Sequence, residues 1–367
     1  MLFRSMVQTS NNKAEEVLIP EYDLFDIGGF VYVQRYFKDL TLSGGARFDH
    51  RSVDSKEFFD GQGLKFEAFT NSFSNFSGSI GVSYEPADFL TLKANLARGF
   101  RAPNMAELGS NGVHEGTFRY EYGDKNLRSE TSLQFDGGME VNYEHFNLGI
   151  AGFYNRVDDF IFYRKLESVF VGDSIINVNG EDLPAFQFNQ NDAKLSGLEV
   201  MLDIHPHPLD WLHFENSVSF VRGRFNDKIG GTDNLPLIPA PKLSSELEAN
   251  FNKAGKGLRN FYLKVEMERF FKQDKPFFAY ETETATPAYT LLNAGIGTDI
   301  LNKKEKIIFN IHFAAINLTD AGYQSHLSRL KYAEKNMVTG RTGVFNPGRN
   351  FSLKVNIPLE FAAKKVE

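Results

Sequence analysis

The chain has 367 residues, 42% hydrophobic and 14% aromatic, with 36 Phe and 14 Tyr against a single Trp, and a formal charge of -7. That charge speaks against nucleic acid as a partner, because such binders are usually basic, and the absence of cysteine excludes disulfides and thiolate-held metal. No apolar run is long enough for a membrane-crossing helix, but a transmembrane β-barrel hides its apolar surface in every second position and escapes that test.

Residues 1–26 are polar and irregular and read as a loop or frayed N-terminal segment. Met1–Ser10 lacks the apolar core of a secretory signal, and Leu2-Phe3-Arg4-Ser5 reads as an assembly scar on a truncated gene. From Ile27 a rhythm begins. Strands are expected at Ile27–Lys38, Leu40–His50, Asn71–Tyr84 and Phe89–Phe100. Beyond the long connection Arg101–Glu130 come Thr131–Tyr143, Phe146 to Leu166, Phe186–Ile204 and Trp211–Phe225. Lys242–Asn252, a strand carrying Phe261, Leu263, Val265 and Met267, Tyr289–Ile300 and Ile307–Leu318 follow. The last, Asn350–Phe361, alternates most cleanly. Phe351, Leu353, Val355, Ile357, Leu359 and Phe361 share one face, and Asn350, Ser352, Lys354, Asn356, Pro358 and Glu360 the other.

Connections between these strands alternate between short and long. Outer-membrane barrels have this pattern, with short turns on the inner side and long loops outside. The fold expected is all-β: an antiparallel transmembrane β-barrel fragment of about thirteen strands, spanning 27–361, with 362–367 as a C-terminal tail. An odd set of strands whose first and last both run inward is a barrel lacking its first part.

Several segments resemble one family. Ala97-Arg98-Gly99-Phe100-Arg101-Ala102-Pro103, with Glu107-Leu108, looks like the "GFRAP…EL" segment of TonB-dependent outer-membrane receptors. Gly123–Glu130 is similar to their "GNPxLKPE", departing at Asp124, Lys125 and Ser129. Phe153–Ile161 resembles "FYNxIDDFI", and Asn191 through Gly197-Leu198-Glu199 resembles "NxxxAxxxGxE". Leu235–Pro241 looks like "LPxxPP", Ile316–Asp320 with Tyr323 like "xNLxDxxY", and Gly348–Phe351 like the entry to their final strand. The resemblance implies a 22-stranded barrel of which these are the last thirteen. It places the plug and the TonB-contacting segment N-terminal to the barrel and absent here. It further implies a Gram-negative outer-membrane location, outer-membrane lipid as surroundings, and TonB-dependent uptake of a scarce metal or metal chelate such as a siderophore, haem or zinc.

The backbone chemistry of the motifs gives structural roles. Pro103 cannot donate to a ladder and should end one. Gly197 inside a strand marks a bulge or a close approach. Asn317 and Asp320 can bond local backbone where strand meets loop.

Ligand chemistry is expected from the outer loops. In Asn104–Arg128, His114 and Glu115 offer metal ligands, with His326 of the last long loop as a possible third. Gly112-Val113-His114 also resembles zinc-uptake members of the family. Arg119, Tyr120, Tyr122 and Arg128, with Arg329 and Lys331, could grip an anionic chelate through charge-assisted bonds and aromatic contact. His205 and His207 flank prolines at a short inner turn and read as turn residues. No nucleophile elbow or HExxH is present, so an enzyme is not expected, nor a resident cofactor. The alternatives are a passive porin and, further off, an outer-membrane hydrolase.

Overall fold

The structure, a computed structural model, describes residues 2–10, 17–61, 63–170 and 172–359. Among these residues fourteen long strands form one wall. They are β1 (Leu2–Ser10), β2 (Tyr22–Phe37), β3 (Leu40–Ser55), β4 (Phe69–Ala87) and β5 (Leu90–Arg101). Then come β6 (Glu130–Tyr143), β7 (Phe146–Lys165), β8 (Glu181–Ile204), β9 (Leu212–Ile229) and β10 (Lys242–Lys253). The last four are β11 (Leu258–Phe270), β12 (Tyr289–Leu301), β13 (Ile307–Ile316) and β14 (Asn350–Asn356). Each pairs antiparallel with the next in the chain, leaving β1 and β14 at the two edges.

All thirteen expected strands are present. The N-terminal segment departs from expectation: Leu2–Ser10 is a strand, not a loop, and β2 begins at Tyr22 rather than Ile27. Nine consecutive partners run from Leu2↔Phe30 to Ser10↔Tyr22. Ladder bonds to a long neighbouring strand decide this segment, whose mixed polarity carries no period of its own. With β1 the wall has fourteen strands, one more than the sequence reading. The expected last strand ends at Asn356; its final residues Glu360 and Phe361, and the tail 362–367, lie outside the described residues.

Register puts apolar side chains directly opposite one another across the wall. Leu353 faces Phe313, Phe313 faces Ile296, Ile296 faces Leu263, Leu263 faces Ala249 and Ala249 faces Leu212. These residues are not a core: Leu353 is 65% exposed and Leu263 50%. The opposite face is charged and internally paired. Lys264 meets Glu246 at 2.9 Å, Lys242 meets Glu268 at 2.5 Å and Lys93 meets Glu140 at 2.6 Å. A soluble sheet buries its apolar face; this one displays it and keeps its ion pairs on the other side.

The buried core sits at the long-loop end. One cluster joins Val157, Phe162, Ala193, Phe225, Leu235 and Phe277. A second joins Leu108, Leu127, Ile161 and Phe188, and a third joins Leu24, Val53 and Met105. The motif residues serve this end. The β5–β6 ladder stops at Arg101↔Glu130, two residues before Pro103. Gly197 lies opposite Phe153, whose ring would come within 2.3 Å of an added Cβ, so the residue permits close approach and the register through it is unbroken. Buried Asn317 exchanges two 2.9 Å bonds with the backbone of Ala321, and Asp320 accepts from the Arg349 amide at 2.9 Å.

Candidate functional site

The loop between β5 and β6 is folded from short local pieces. Asn104 caps a helical turn, α1 (Met105–Gly109): its side chain accepts from the Glu107 amide at 2.9 Å while Glu107 accepts from the Asn104 amide at 2.8 Å. Arg101 clamps Glu107 at 2.7 and 2.8 Å and Glu130 at 2.7 and 2.8 Å, so the loop's entry and exit meet on one guanidinium. After α1 a small hairpin pairs 111–114 with 119–122, and its second strand adds in parallel to Ala185–Gln187 of β8.

Period-two alternation in Arg119–Tyr122 separates the candidates. Arg119 and Glu121 share one face, Tyr120 and Tyr122 the other. Glu121 is 1% exposed and sits at the centre of a network. It accepts from Arg119 Nε at 2.7 Å and from the Tyr163 hydroxyl at 3.2 Å, and His114 Nδ1 lies 2.9 Å away. The Arg119 guanidinium stacks 3.8 Å from the Tyr163 ring centre and 4.9 Å from that of Phe186. On the other face the rings of Tyr120 and Tyr122 lie 4.9 Å apart, and the Tyr120 hydroxyl donates to Asn111 at 2.8 Å. Burial pushes the Tyr120 phenol up to about 12, so it stays a neutral donor.

Arg119 is therefore spent on Glu121, and its charge is not available to grip an anion. The sequence reading missed Glu121. A lone glutamate in an Arg-Tyr-Glu-Tyr run carries no motif; only the β8 pairing that buries it reveals its weight. Glu115 opens the short 3-10 turn Glu115–Thr117, but its side chain lies outside the described residues. Arg128 is exposed and pairs with Asp159, while its backbone is held by Gln190.

His326 has a different setting. It is 6% exposed, with Nδ1 2.8 Å from the Thr286 hydroxyl and Nε2 3.8 Å from Glu283. Burial, then the nearby Lys331 ammonium, lowers its pKa to about 4, so the ring is neutral. Lys331 donates to Thr284 O, Ala285 O and the Thr286 hydroxyl at 2.8, 3.1 and 2.8 Å. Glu283, its pKa raised by burial, accepts from the amides of Leu237 and Phe277 at 2.6 and 3.1 Å. This cluster fastens the loop after β11 to the loop after β13. Lys331 is consumed in it, and Arg329 alone of the two stands exposed. His114 and His326 thus have separate partners rather than a shared ligand set.

A wall with an exposed apolar face, a charged face and large folded loops at one end defines the class: the wall of a transmembrane β-barrel. Residues 8–318 match the family "TonB dependent receptor-like, beta-barrel", and the chain belongs to that family. Among curated relatives, the ferrienterobactin receptor of Escherichia coli K12 is 24% identical over 249 residues, 65% of this chain and 32% of that protein. The ferric enterobactin receptor of Pseudomonas aeruginosa is 27% identical over 230 residues, 58% and 30%. Among solved structures, the copper transporter OprC superposes with a TM-score of 0.73 at 17% identity, covering 92% of this chain and 48% of that one, which attests the fold. The chain spans about a third of the length of these curated relatives.

Proposed function

We propose that this chain is the wall of an outer-membrane uptake receptor for a metal chelate, working in a TonB-dependent manner with a plug supplied N-terminally, in a Gram-negative bacterium. The observation that carries the reading is the directly opposed apolar row from Leu353 through Phe313 and Ile296 to Leu263, exposed on one face while the other holds paired Lys and Glu. Such a face suits lipid and nothing else of that breadth. The names of the relatives support iron-chelate uptake as the closer description. In this reading capture falls to the exposed part of the loop after β5. Glu121 buttresses the hairpin from below, so that Tyr122 and the His114 edge not turned to Glu121 face the solute. His326, buried under its own loop, is a brace.

The test is growth of a strain deleted for the complete receptor, on limiting iron supplied as different chelates and on limiting zinc. Loss of growth on one metal source, restored by the intact gene and not by one lacking the TonB-contacting segment, is the expected result. Equal growth on every source would remove the proposal.

A further inference from the structure

The inner rim, at the opposite end of the wall from the folded loops, holds a cluster that uptake through those loops does not use. Asp203 is the penultimate residue of β8, His205 lies two positions on, and His213 is the second residue of β9. Asp203 faces Glu215 across the ladder. Two-residue alternation therefore turns Asp203, His205 and His213 to one face. His205 Nδ1 lies 3.5 Å from Asp203 Oδ2, and His213 Nδ1 lies 3.8 Å from Asp203 Oδ1. Among the described residues this is the one group of three metal-capable side chains whose donor atoms all fall within 4.8 Å of one another.

The hydrogen bonds leave two of these atoms, His205 Nδ1 and Asp203 Oδ1, without a partner. His205 Nε2 sits 2.5 Å from the Glu144 carbonyl oxygen, so that nitrogen carries the proton and donates. Nδ1 is left with a lone pair directed at a carboxylate. His205 Nδ1 and Asp203 Oδ1 are both shut off from solvent and have no hydrogen-bond partner, and the same is true of Nδ1 of His145 in the neighbouring turn. The His145 ring centre is 6.3 Å from that of His205. Asp203 Oδ2 is steadied by Asn147 Nδ2 at 3.4 Å. Imidazole pinned by a backbone carbonyl through one nitrogen, with the other nitrogen free, is the orientation metal-bound histidines adopt. Buried acceptors facing one another are unfavourable unless a cation lies between them.

We propose that Asp203, His205 and His213 bind a divalent transition-metal ion of the zinc class at the inner rim, where it ties the end of β8 to the start of β9. Two imidazoles and one carboxylate favour a borderline ion over calcium or magnesium, and the lack of thiolate disfavours copper(I). Zinc bonds of about 2.0–2.1 Å set neighbouring ligand atoms roughly 3.3 Å apart. One donor atom from each of the three residues lies within 4.8 Å of the other two, and side-chain rotations bring them to that spacing. Three ligands leave a fourth position for water. The sequence reading of His205 as a turn residue stands for its backbone, whose amide donates to His145 O at 3.0 Å; the ring has this second use. The site is independent of the uptake reading.

The test takes the full chain in detergent micelles, stripped by chelator, titrated with cobalt(II) and then with zinc(II). One cobalt ion per chain with tetrahedral visible absorption, displaced by zinc, is expected. Asp203→Asn, His205→Gln and His213→Gln should each weaken binding at least tenfold, while His50→Gln, on β3, leaves it unchanged. Heat-modifiable gel migration checks that each variant is folded, and any that is not leaves the others to decide. Copper(II) bound to the parent chain should show two coordinated imidazole nitrogens in its paramagnetic resonance spectrum. Parent-like affinity in the folded variants, or a spectrum without nitrogen coordination, overturns the site.

Discussion

Glu121 and Asp203 are carboxylates at opposite ends of the same wall, each beside a histidine, and they are treated differently. Around Glu121 the oxygens are met by Arg119, Tyr163 and His114. Around Asp203 one oxygen has no partner, and the Nδ1 atom of His205 nearby is equally unmet. Both carboxylates have been taken partly or wholly from water, which is costly unless something replaces it. The filled network has what it needs from the chain itself and serves as architecture. The unfilled one calls for an ion from outside. A histidine next to a carboxylate is thus a poor guide to metal in this sequence, and the satisfaction of the remaining atoms is a better one.

The comparison breaks most visibly at Arg119. Arg119→Ala leaves Glu121 buried without its cation, at a cost of about 3–5 kcal/mol. The hairpin 111–122 should become protease-sensitive while the strands stay folded; an unchanged digestion pattern would show that Glu121 needs no counter-charge. Next is the inner rim. Zinc at a hundred times its dissociation constant should add about 2.7 kcal/mol to denaturant resistance of the parent chain and about 1.4 kcal/mol or less to Asp203→Asn.

A third measure concerns His326, whose neutral form the fold prefers. Its folded pKa, about 4, lies below its ordinary 6.5. Below pH 6.5 the unfolded chain binds a proton that the folded loop does not, so the stability is full above that pH and is lost as pH falls towards 4. Glu283 titrates in the opposite sense, its pKa raised by burial and the folded form favoured at low pH, which tempers the loss. Cleavage of the loop 317–349 should rise between pH 6.5 and 4 in the parent and should not rise in His326→Gln. The smallest effect is at the cap. Asn104→Ala should cost about 1 kcal/mol, read as faster amide exchange in Met105–Gly109 with the Glu121 network intact.

The sequence made the wall legible because lipid on one side and water on the other write a period of two into every strand. Leu353 and Lys354 differ in polarity for that reason alone. The reading weakened where that contrast ends. Strands β2 and β3 run five residues further into the loops than expected, to Tyr22 and Ser55, where Leu24 and Val53 are buried with Met105 in a loop core and the contrast of lipid against water is gone. β1 was missed because its pairing, not its pattern, makes it a strand. Of the candidate residues, His114 lies where capture was expected, but Arg119 and Lys331 are held internally and His326 is buried. Long-range partners such as Tyr163 for Glu121, and Thr286 for His326, leave no trace in local spacing.

The two outermost strands have one further consequence. Hydrocarbon offers backbone amides no water to bond, and each bare donor or acceptor there costs several kcal/mol. The free rims of β1 and β14 carry rows of such groups. In a bilayer each must therefore be zipped to some other strand, whether to one another or to further polypeptide, and amide-exchange rates along Leu353 and Val355 would report how completely that seam is shut.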